Sequence, residues 1–214
     1  VQDEAAAVWT EGSRLRGVIG ARGTRYSGER VVVTTGTFLN GVAHVGETRR
    51  PSGRGAEPPA TALSGGLAAL GHRVGRMKTG TPPRLHARSI DWSRLERQDG
   101  DDPLEPLSRF GPRPARPQLS CFVAYTNAAT HAVIRDHLHR SPLYSGAIEG
   151  VGPRYCPSIE DKVVKFPHKA RHQLFLEPEG RDTSEIYLNG LSTSLPEDAQ
   201  LRIVRSVAGL EEAV

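Results

Sequence analysis

Residues 30–35 hold three consecutive valines and two threonines, and the run stops at Gly36. Because β-branched side chains suit a pleated, covered surface, the run predicts a buried strand. A glycine after such a strand lets the main chain approach a ligand where a side chain would collide. A strand of this kind commonly completes a dinucleotide-binding domain, although Thr-Gly pairs also occur in many ordinary turns. The run is therefore compatible with the last strand of a dinucleotide-binding domain and with an ordinary turn.

The other apolar patterns predict short strands and helices joined by turns rich in glycine and proline. Strands are expected at residues 5–10, 16–21, 24–27, 74–77, 118–126, 163–166, 173–176 and 186–188. Helices are expected at residues 60–70, at residues 127–138 with Asn127 or Thr130 as the cap, and from Pro196 onward with Leu201, Val204 and Leu210 facing inward. Residues 41–59 are expected to form a loop.

Residues 85–120 are the best candidate for a domain boundary or an inserted segment. Three prolines fall within residues 109–117, and proline cannot donate the main-chain hydrogen bond that a helix interior or a central strand requires. We therefore expect a peripheral connector here. Residues 78–84 form a second polar loop with a cation at each end. Such a loop suits phosphate or carboxylate groups, and a plain surface turn is equally compatible.

Net charge, apolar runs and cysteine content limit the classes of protein to which this chain can belong. The chain has 214 residues, a net charge of +4 and two cysteines. No apolar run approaches the roughly 20 residues that span a membrane, and the first residues do not resemble a signal peptide. Two distant cysteines do not make a disulfide framework, so we expect a cytoplasmic protein. A modest basic excess is compatible with a polyanion partner such as RNA.

Two further expectations concern the histidines and the chain ends. His131, His137 and His139 surround one predicted helix without a carboxylate or thiol at ligand spacing. We therefore expect them to be solvated or capping residues rather than metal ligands. The chain starts at a residue other than Met, and residues 210–214 look like the middle of a helix. Both features lead us to expect a fragment of a longer protein.

Cys156 lies in a charged segment, residues 152–166, with prolines on both sides of it. Arg154 precedes the cysteine, and Lys162 and Lys165 follow it. A thiol near fixed cations ionises more easily, and the thiolate is the reactive form. The residues alone also allow a surface loop with a small buried cysteine.

The same segment closely resembles one in the MnmG (GidA) family of flavoproteins, which modify uridine in tRNA. Further blocks match the family in the same order, namely residues 35–41, 78–84, 126–127, 140–142, 172–180 and 189–196. The resemblance covers essentially the whole chain. The resemblance implies an α/β fold with mixed sheets and flanking helices, in which an NADH-binding domain is inserted into an FAD-binding domain. The implied domains are residues 1–84 of the FAD domain, the inserted domain at 85–188, and a return toward the FAD domain at 189–214.

The resemblance also implies the site residues. FAD contacts fall on Val1, Thr35, Gly36, Thr37 and Ala60. Ala60 stands where a serine is expected, so that only a main-chain contact would survive there. The nicotinamide cofactor is implied to bind Gly152, Pro153, Arg154, Tyr155, Cys156, Pro157, Ser158, Ile159, Glu160, Asp161, Lys162, Val163, Val164, Lys165 and Phe166. Cys156 is the implied catalytic residue, whereas Cys121 has no comparable setting and is interpreted as structural.

The implied reaction adds a carboxymethylaminomethyl or aminomethyl group to carbon 5 of the wobble uridine. It uses FAD, NADH and a one-carbon unit from methylenetetrahydrofolate, and the implied partners are tRNA, the GTPase MnmE and a second copy of the full-length protein. The sequence lacks a Gly-x-Gly-x-x-Gly loop that opens a βαβ unit. Two alternatives stay open: a folate- and FAD-dependent tRNA uridine methyltransferase, and a noncatalytic basic RNA-binding module.

Overall fold

The chain folds into two compact units that are each built around their own sheet. The computed structural model describes residues 1–55, 57–112, 117–148, 150, 152 and 157–214. The first unit consists mainly of Val1–Thr79, and the second consists of Gly80–Ile148 and Gly152–Val214. None of the described helices is both long and apolar enough to cross a bilayer.

The first unit contains a three-stranded sheet, a small hairpin and one helix. Its elements are β1 (Ala5–Glu11), β2 (Arg14–Gly20), β3 (Arg25–Ser27), β4 (Val42–Val45), β5 (Thr48–Pro51) and α1 (Ala62–Ala69). Strands β1, β2 and β3 form an antiparallel meander, as the sequence predicts. Helix α1 packs on β1. The loop expected at residues 41–59 is wrong in part, because β4 and β5 form a hairpin there, in which Gly46 has a positive φ and supplies the tight turn.

The predicted buried strand at residues 30–35 is wrong for this structure. Residues 31–35 form no strand, and Val32 is 83% exposed. Val31 and Val33 instead line an apolar cavity of about 580 Å³ together with Val8, Leu67 and Val74. A buried strand needs hydrogen-bonding neighbours and a covering layer on each face, and the described residues supply neither. The short strand predicted at 74–77 is also absent, since this stretch shows only a single bridge at Met77.

The second unit is built on a five-stranded antiparallel sheet. Its strands are β6 (Arg84–His86), β7 (Glu96–Gln98), β8 (Cys121–Tyr125), β9 (Gln173–Pro178) and β10 (Glu185–Asn189), in the spatial order β6-β10-β9-β8-β7. Leu174 and Leu176 of β9 and Leu188 of β10 are fully buried, because alternate residues of a strand share one face. The sequence did not predict β6 and β7, which are only three residues long. Between β7 and β8, the described residues 99–112 and 117–120 form no helix or strand, in agreement with a peripheral connector.

Three helices complete the core of the second unit. They are α2 (Ala128–Asp136), α3 (Ile159–Lys165) and α4 (Glu197–Arg205), and α2 contacts both of the others. The helices and the turn after α4 contribute Ile134, Ile159, Val163, Ala199, Ile203, Val207 and Leu210 to the same cluster as the sheet leucines. This mixed arrangement of sheets and helices confirms the α/β class.

Three predictions for these helices are wrong. Residues 163–166 were predicted as a strand from their apolar β-branched pair, but residues 159–165 form α3. The overlooked signal is Ser158 followed three residues later by Asp161, which form a capping box and start the helix. Leu201 was predicted to face inward but is 41% exposed, because Ala199 and Ile203, one turn apart, take the inward face of α4. The inward positions of Val204 and Leu210 are confirmed, but α4 ends at Arg205 and the helix expected at residues 210–214 is absent.

The cap of α2 gives a testable prediction for stability. The Asn127 side chain accepts a hydrogen bond from Thr130 N–H at 3.0 Å, and its amide donates to Ser206 O at 2.6 Å. Asn127→Ala removes a helix cap and a link to the end of α4, so we expect a loss of about 1–2 kcal/mol. Urea unfolding of the intact protein measures this loss. Asn189→Ala is the matched control, because Asn189 is exposed and its side chain bonds only the half-buried Glu177 in the described part. Equal destabilisation by the two substitutions would contradict the role of the cap.

Candidate functional site around helix α3

Helix α3 follows directly on the cysteine-containing segment. Pro153, Arg154, Tyr155 and Cys156 of the predicted nicotinamide site lie outside the described residues. From Pro157 onward the chain is described: Pro157 is exposed, and Ser158 is buried at the start of α3. The structure therefore describes the residues that directly follow Cys156 in the chain, from Pro157 onward.

The first turn of α3 is fixed by a reciprocal pair of hydrogen bonds. Ser158 Oγ accepts from Asp161 N–H at 3.2 Å, and the Asp161 carboxylate accepts from Ser158 N–H at 3.4 Å. Lys165 Nζ lies 2.9 Å from the same carboxylate. Burial alone would raise the pKa of Asp161, but Lys165 and the Ser158 hydrogen bonds outweigh it and lower the pKa. Asp161 is thus held as an anion that orders the start of the helix.

Helix α3 is tied to the block at residues 189–196, which follows β10. Ile159 N–H donates to Ser192 O at 2.7 Å, and Thr193 Oγ1 donates to Glu160 Oε1 at 2.9 Å. In turn, Thr193 N–H donates to Thr81 O at 3.3 Å. Residues from three parts of the chain that are far apart in sequence, Thr81, Glu160 and Thr193, therefore meet in the second unit.

Glu160 is the buried centre of this junction. Its side chain is 0% exposed, and Oε1 accepts from both the Thr193 hydroxyl and Ser194 N–H, the latter at 3.2 Å. Its other oxygen, Oε2, has no hydrogen-bond partner in the described part, and neither does Ser194 Oγ. A buried polar atom without a partner costs about 1–3 kcal/mol. Such an atom in a folded protein requires an explanation, such as a catalytic role, local strain or a bound water or ion.

Lys162 contacts the main chain of the same block. Its ammonium donates to Gly190 O at 2.9 Å, and burial lowers the pKa of Lys162. Gly190 has a φ of 96°, and a Cβ there would lie 2.8 Å from Gln173 O. The position therefore requires glycine, which keeps the carbonyl within reach of Lys162.

A pair of buried histidines lies close to this junction. The ring centroids of His131 and His172 are 5.3 Å apart, and Thr126 Oγ1 lies 2.8 Å from His131 Nε2 while accepting from His172 N–H at 2.8 Å. Burial lowers the pKa of both rings, and for His172 the charges of His131 and Lys162 lower it further. His172 Nε2 has no partner in the described part.

These positions correct the expectation for the histidines. His131 is neither solvated nor capping, and His137 is the C-terminal cap of α2 but is buried, with Nδ1 2.8 Å from Val133 O. His139 is exposed, as expected. Among the described residues, no three of the His, Cys, Asp and Glu side chains form a metal-binding group. The only sequence signal near His131 was the block at residues 126–127, which resembles the family. The contact of Thr126 and His131 with His172 depends on the pairing of β8 with β9, which the sequence does not show.

The predicted FAD contacts lie in the first unit. Gly36 has a φ of 61°, so its main chain adopts a conformation that favours glycine. Leu39, two residues after Thr37, forms a parallel bridge with Ala60, and Asn40 N–H donates to Ala60 O at 2.8 Å. The structure thus brings the 35–37 turn and Ala60 into one region, whereas Val1 is fully exposed.

Cys121, the other cysteine, has a structural setting. It is half-buried on β8 opposite Gln98. Burial and the nearby Glu177 carboxylate raise the pKa of the Cys121 thiol. A raised pKa disfavours the reactive thiolate.

Comparisons with known proteins agree along the whole chain. A family model described as Glucose inhibited division protein A matches residues 1–214. The tRNA uridine 5-carboxymethylaminomethyl modification enzyme MnmG of Geobacter sulfurreducens is 59% identical over 210 residues, and the protein of that name from Geobacter metallireducens is 56% identical over 210 residues. Each match covers 98% of this chain and 34% of the relative, so the chain spans about a third of the length of these curated relatives.

Solved structures give the same relationship. GidA of Aquifex aeolicus in its form I crystal superposes with a TM-score of 0.86 at 49% identity, covering 100% of this chain and 37% of that chain. The form II crystal of the same protein gives a TM-score of 0.85 at 45% identity, with 100% and 35% covered. The fold of this chain therefore also occurs as part of a longer polypeptide.

Proposed function

Since the chain belongs to the Glucose inhibited division protein A (GidA, MnmG) family, we propose that it is part of an enzyme that modifies the wobble uridine of tRNA. The reaction adds a carboxymethylaminomethyl or aminomethyl group to carbon 5. The observation that carries the proposal is the junction of α3 with residues 189–196, where Glu160 is buried with one unpartnered oxygen. This junction holds Ile159, which follows Cys156 by three residues in the chain.

NADH is the cofactor proposed for residues 152–166, and the residues present fit it. Glu160 Oε2 and Ser194 Oγ are buried without partners, and Ser194 N–H donates to the other oxygen of Glu160. Ribose hydroxyls and a carboxamide can donate to a carboxylate and accept from a hydroxyl. Arg154, outside the described residues, would supply a guanidinium for the pyrophosphate.

FAD is the cofactor proposed for the first unit, through Val1, Thr35, Gly36, Thr37 and Ala60. The glycine-favouring main chain at Gly36 and the bridge between Leu39 and Ala60 fit a ligand that lies against the backbone. The Ala60 carbonyl already accepts from Asn40 N–H. When bound, FAD supplies hydride transfer and carries the one-carbon unit from methylenetetrahydrofolate. The protein supplies orientation and charge.

Cys156 is the proposed nucleophile of the uridine chemistry. Carbon 5 of uracil is a poor nucleophile until a group adds at carbon 6. Addition of the Cys156 thiolate to carbon 6 would move an electron pair into the ring as an enolate, and carbon 5 would then bond to the one-carbon unit supplied by methylenetetrahydrofolate as the bond from that carbon to its carrier nitrogen breaks and its electron pair stays on the nitrogen. Loss of the carbon 5 proton and departure of the thiolate restore the ring. Arg154 is proposed to stabilise the negative charge on the enolate oxygen.

The remaining parts of the proposal come from the family. The partners are tRNA, the GTPase MnmE and a second copy of the full-length protein, and the compartment is the cytoplasm. We assign residues 1–84 to the FAD domain, residues 85–188 to the inserted NADH domain and residues 189–214 to the return, although within this chain residues 189–214 pack into the core of the second unit. The relatives at 59% and 56% identity are named for carboxymethylaminomethyl modification, which favours this reaction over methyl transfer.

The proposal is tested by hydride delivery to flavin in the full-length protein. We expect the protein to purify with FAD, and Arg154→Gln to raise the NADH concentration for half-maximal flavin reduction about tenfold, as expected for one lost charge-assisted contact. Stopped-flow absorbance measures this reduction. Arg88→Gln, a substitution at an exposed arginine of the second unit, is the control and should be unchanged. A full-length protein that holds no flavin, or an unchanged NADH dependence in Arg154→Gln, would contradict the proposed cofactor roles.

A further inference from the structure

The turn that follows α3 is a strongly basic and exposed surface. Residues 164–171 are all exposed and contain Lys165, Lys169, Arg171 and one histidine, but no acidic residue. Lys165 is paired with Asp161. Lys169 N–H donates to Phe166 O at 3.0 Å, which closes the turn. The turn therefore presents cations on a defined main chain rather than on an extended strand.

Two of these cations lie on aromatic rings. The Arg171 guanidinium carbon is 4.1 Å from the ring centroid of Tyr125 on β8, and Lys169 Nζ is 5.6 Å from that of Phe166. Phe166 is itself 44% exposed and contacts the His168 ring edge-on. A guanidinium that is stacked on a tyrosine keeps its outer face free for a second planar group. We name residues 166–171 together with Tyr125 the basic turn.

Planar groups beside cations are the features that proteins use to bind single-stranded RNA. Unpaired bases stack on aromatic rings and on guanidinium planes, and cations neutralise the phosphates between them. A protein partner with an acidic surface would use the cations but would not need the stacked rings. The combination at the basic turn therefore favours unpaired RNA.

The position of the basic turn fits a substrate of the Cys156 segment. Helix α3 has seven residues, so that its ends are about 10 Å apart. Stacked nucleotides rise by about 3.4 Å each along one strand. An RNA strand that is bound at the basic turn and runs along α3 would thus place a base about three nucleotides away beside Ser158, the N-terminal cap of α3.

We propose that the basic turn binds the unpaired nucleotides of the tRNA anticodon loop, with a base stacked on Arg171 and phosphates on Lys169 and Arg171. The inference rests on the proposed function, because it takes tRNA as the substrate. Beyond the proposed function, the basic turn is the surface that binds the anticodon loop while the wobble base reaches Cys156.

The test uses the full-length protein and a synthetic anticodon stem-loop RNA with uridine at the wobble position. Lys169→Ala combined with Arg171→Ala is expected to weaken binding about tenfold near physiological salt and to reduce the slope of log affinity against log salt by about 1.4. Arg88→Ala combined with Arg109→Ala is the matched control, since both arginines are exposed in the same unit and carry the same charge. Tyr125→Leu tests the stack and is expected to weaken binding about fivefold with an unchanged salt slope.

Each outcome has a defined meaning. Unchanged affinity in the basic-turn variant, or an equal loss in the control, would overturn the proposal. RNA binding that persists while binding to the GTPase is lost would overturn it in favour of a protein contact. Stopped-flow flavin reduction by NADH should be normal in the basic-turn variant. If the wild-type protein neither holds flavin nor binds the RNA, the proposed function itself fails, and this result is distinct from a failure of the basic turn alone.

Discussion

Replacing Cys156 with serine is expected to abolish wobble-uridine modification in the full-length protein, a loss of more than about a thousandfold, as for other removed nucleophiles. Serine is nearly the same size as cysteine but is almost never ionised near neutral pH, so it cannot add to carbon 6 of uracil. Flavin content and flavin reduction by NADH should remain, because the fold around α3 is unchanged. Mass spectrometry of tRNA nucleosides from cells that carry only the variant measures the modification.

Cys121→Ser is the matched control for this experiment. Cys121 is half-buried on β8, and its thiol has a raised pKa, so it has no part in the proposed chemistry. We expect modification to continue in this variant, with at most a small loss of stability. Normal modification in the Cys156→Ser strain would remove the nucleophile from the proposal, although the family assignment would stand.

Two substitutions at Glu160 are expected to distinguish its role in stabilising the fold from its proposed contact with the cofactor. Glu160→Ala leaves the Thr193 hydroxyl and Ser194 N–H buried without an acceptor, which costs about 1–3 kcal/mol for each group. We therefore expect a large loss of stability together with slow flavin reduction. Urea unfolding and stopped-flow absorbance measure the two effects.

Glu160→Gln keeps the acceptor but changes the unpartnered atom. Its amide oxygen can accept from Thr193 and Ser194, so stability should stay within about 1 kcal/mol of the wild type. The amide nitrogen then replaces Oε2, the acceptor that is proposed to face NADH. We expect the NADH concentration for half-maximal flavin reduction to rise about tenfold, as for one lost hydrogen bond to a charged group. An NADH dependence equal to the wild type would place Glu160 outside the cofactor site.

Local sequence signals predicted the elements whose stability depends on nearby residues. The β1–β2–β3 meander, helix α2 and its Asn127 cap follow from short-range patterns. The error at residues 163–166 arose because a β-branched pair was given more weight than the Ser158–Asp161 capping box. In a seven-residue helix, a satisfied first turn and the burial of Val163 outweigh the modest β preference of valine.

Long-range features of the site could not be predicted from the sequence. The resemblance identified the blocks at 78–84, 152–166 and 189–196, but their meeting at Glu160 and Thr193 depends on the order of strands in the sheet. The same reason explains the burial of His131 beside His172. Residues 30–35 show the opposite case, because their β-branched pattern describes a strand for which the described residues provide no neighbours.

The pairing of β6 with β10 has a consequence for how such a protein can evolve. These are the first and last strands of the five-stranded sheet along the chain, yet they are hydrogen-bonded neighbours, with Ile186 opposite Leu85. The chain therefore begins and completes this sheet at adjacent points in space. A module of this kind can be spliced into a surface loop of a host protein, or exchanged for another, without stretching the host chain. Loops and connectors within the unit, such as the one between β7 and β8, can then diverge in length without moving the two ends of the sheet.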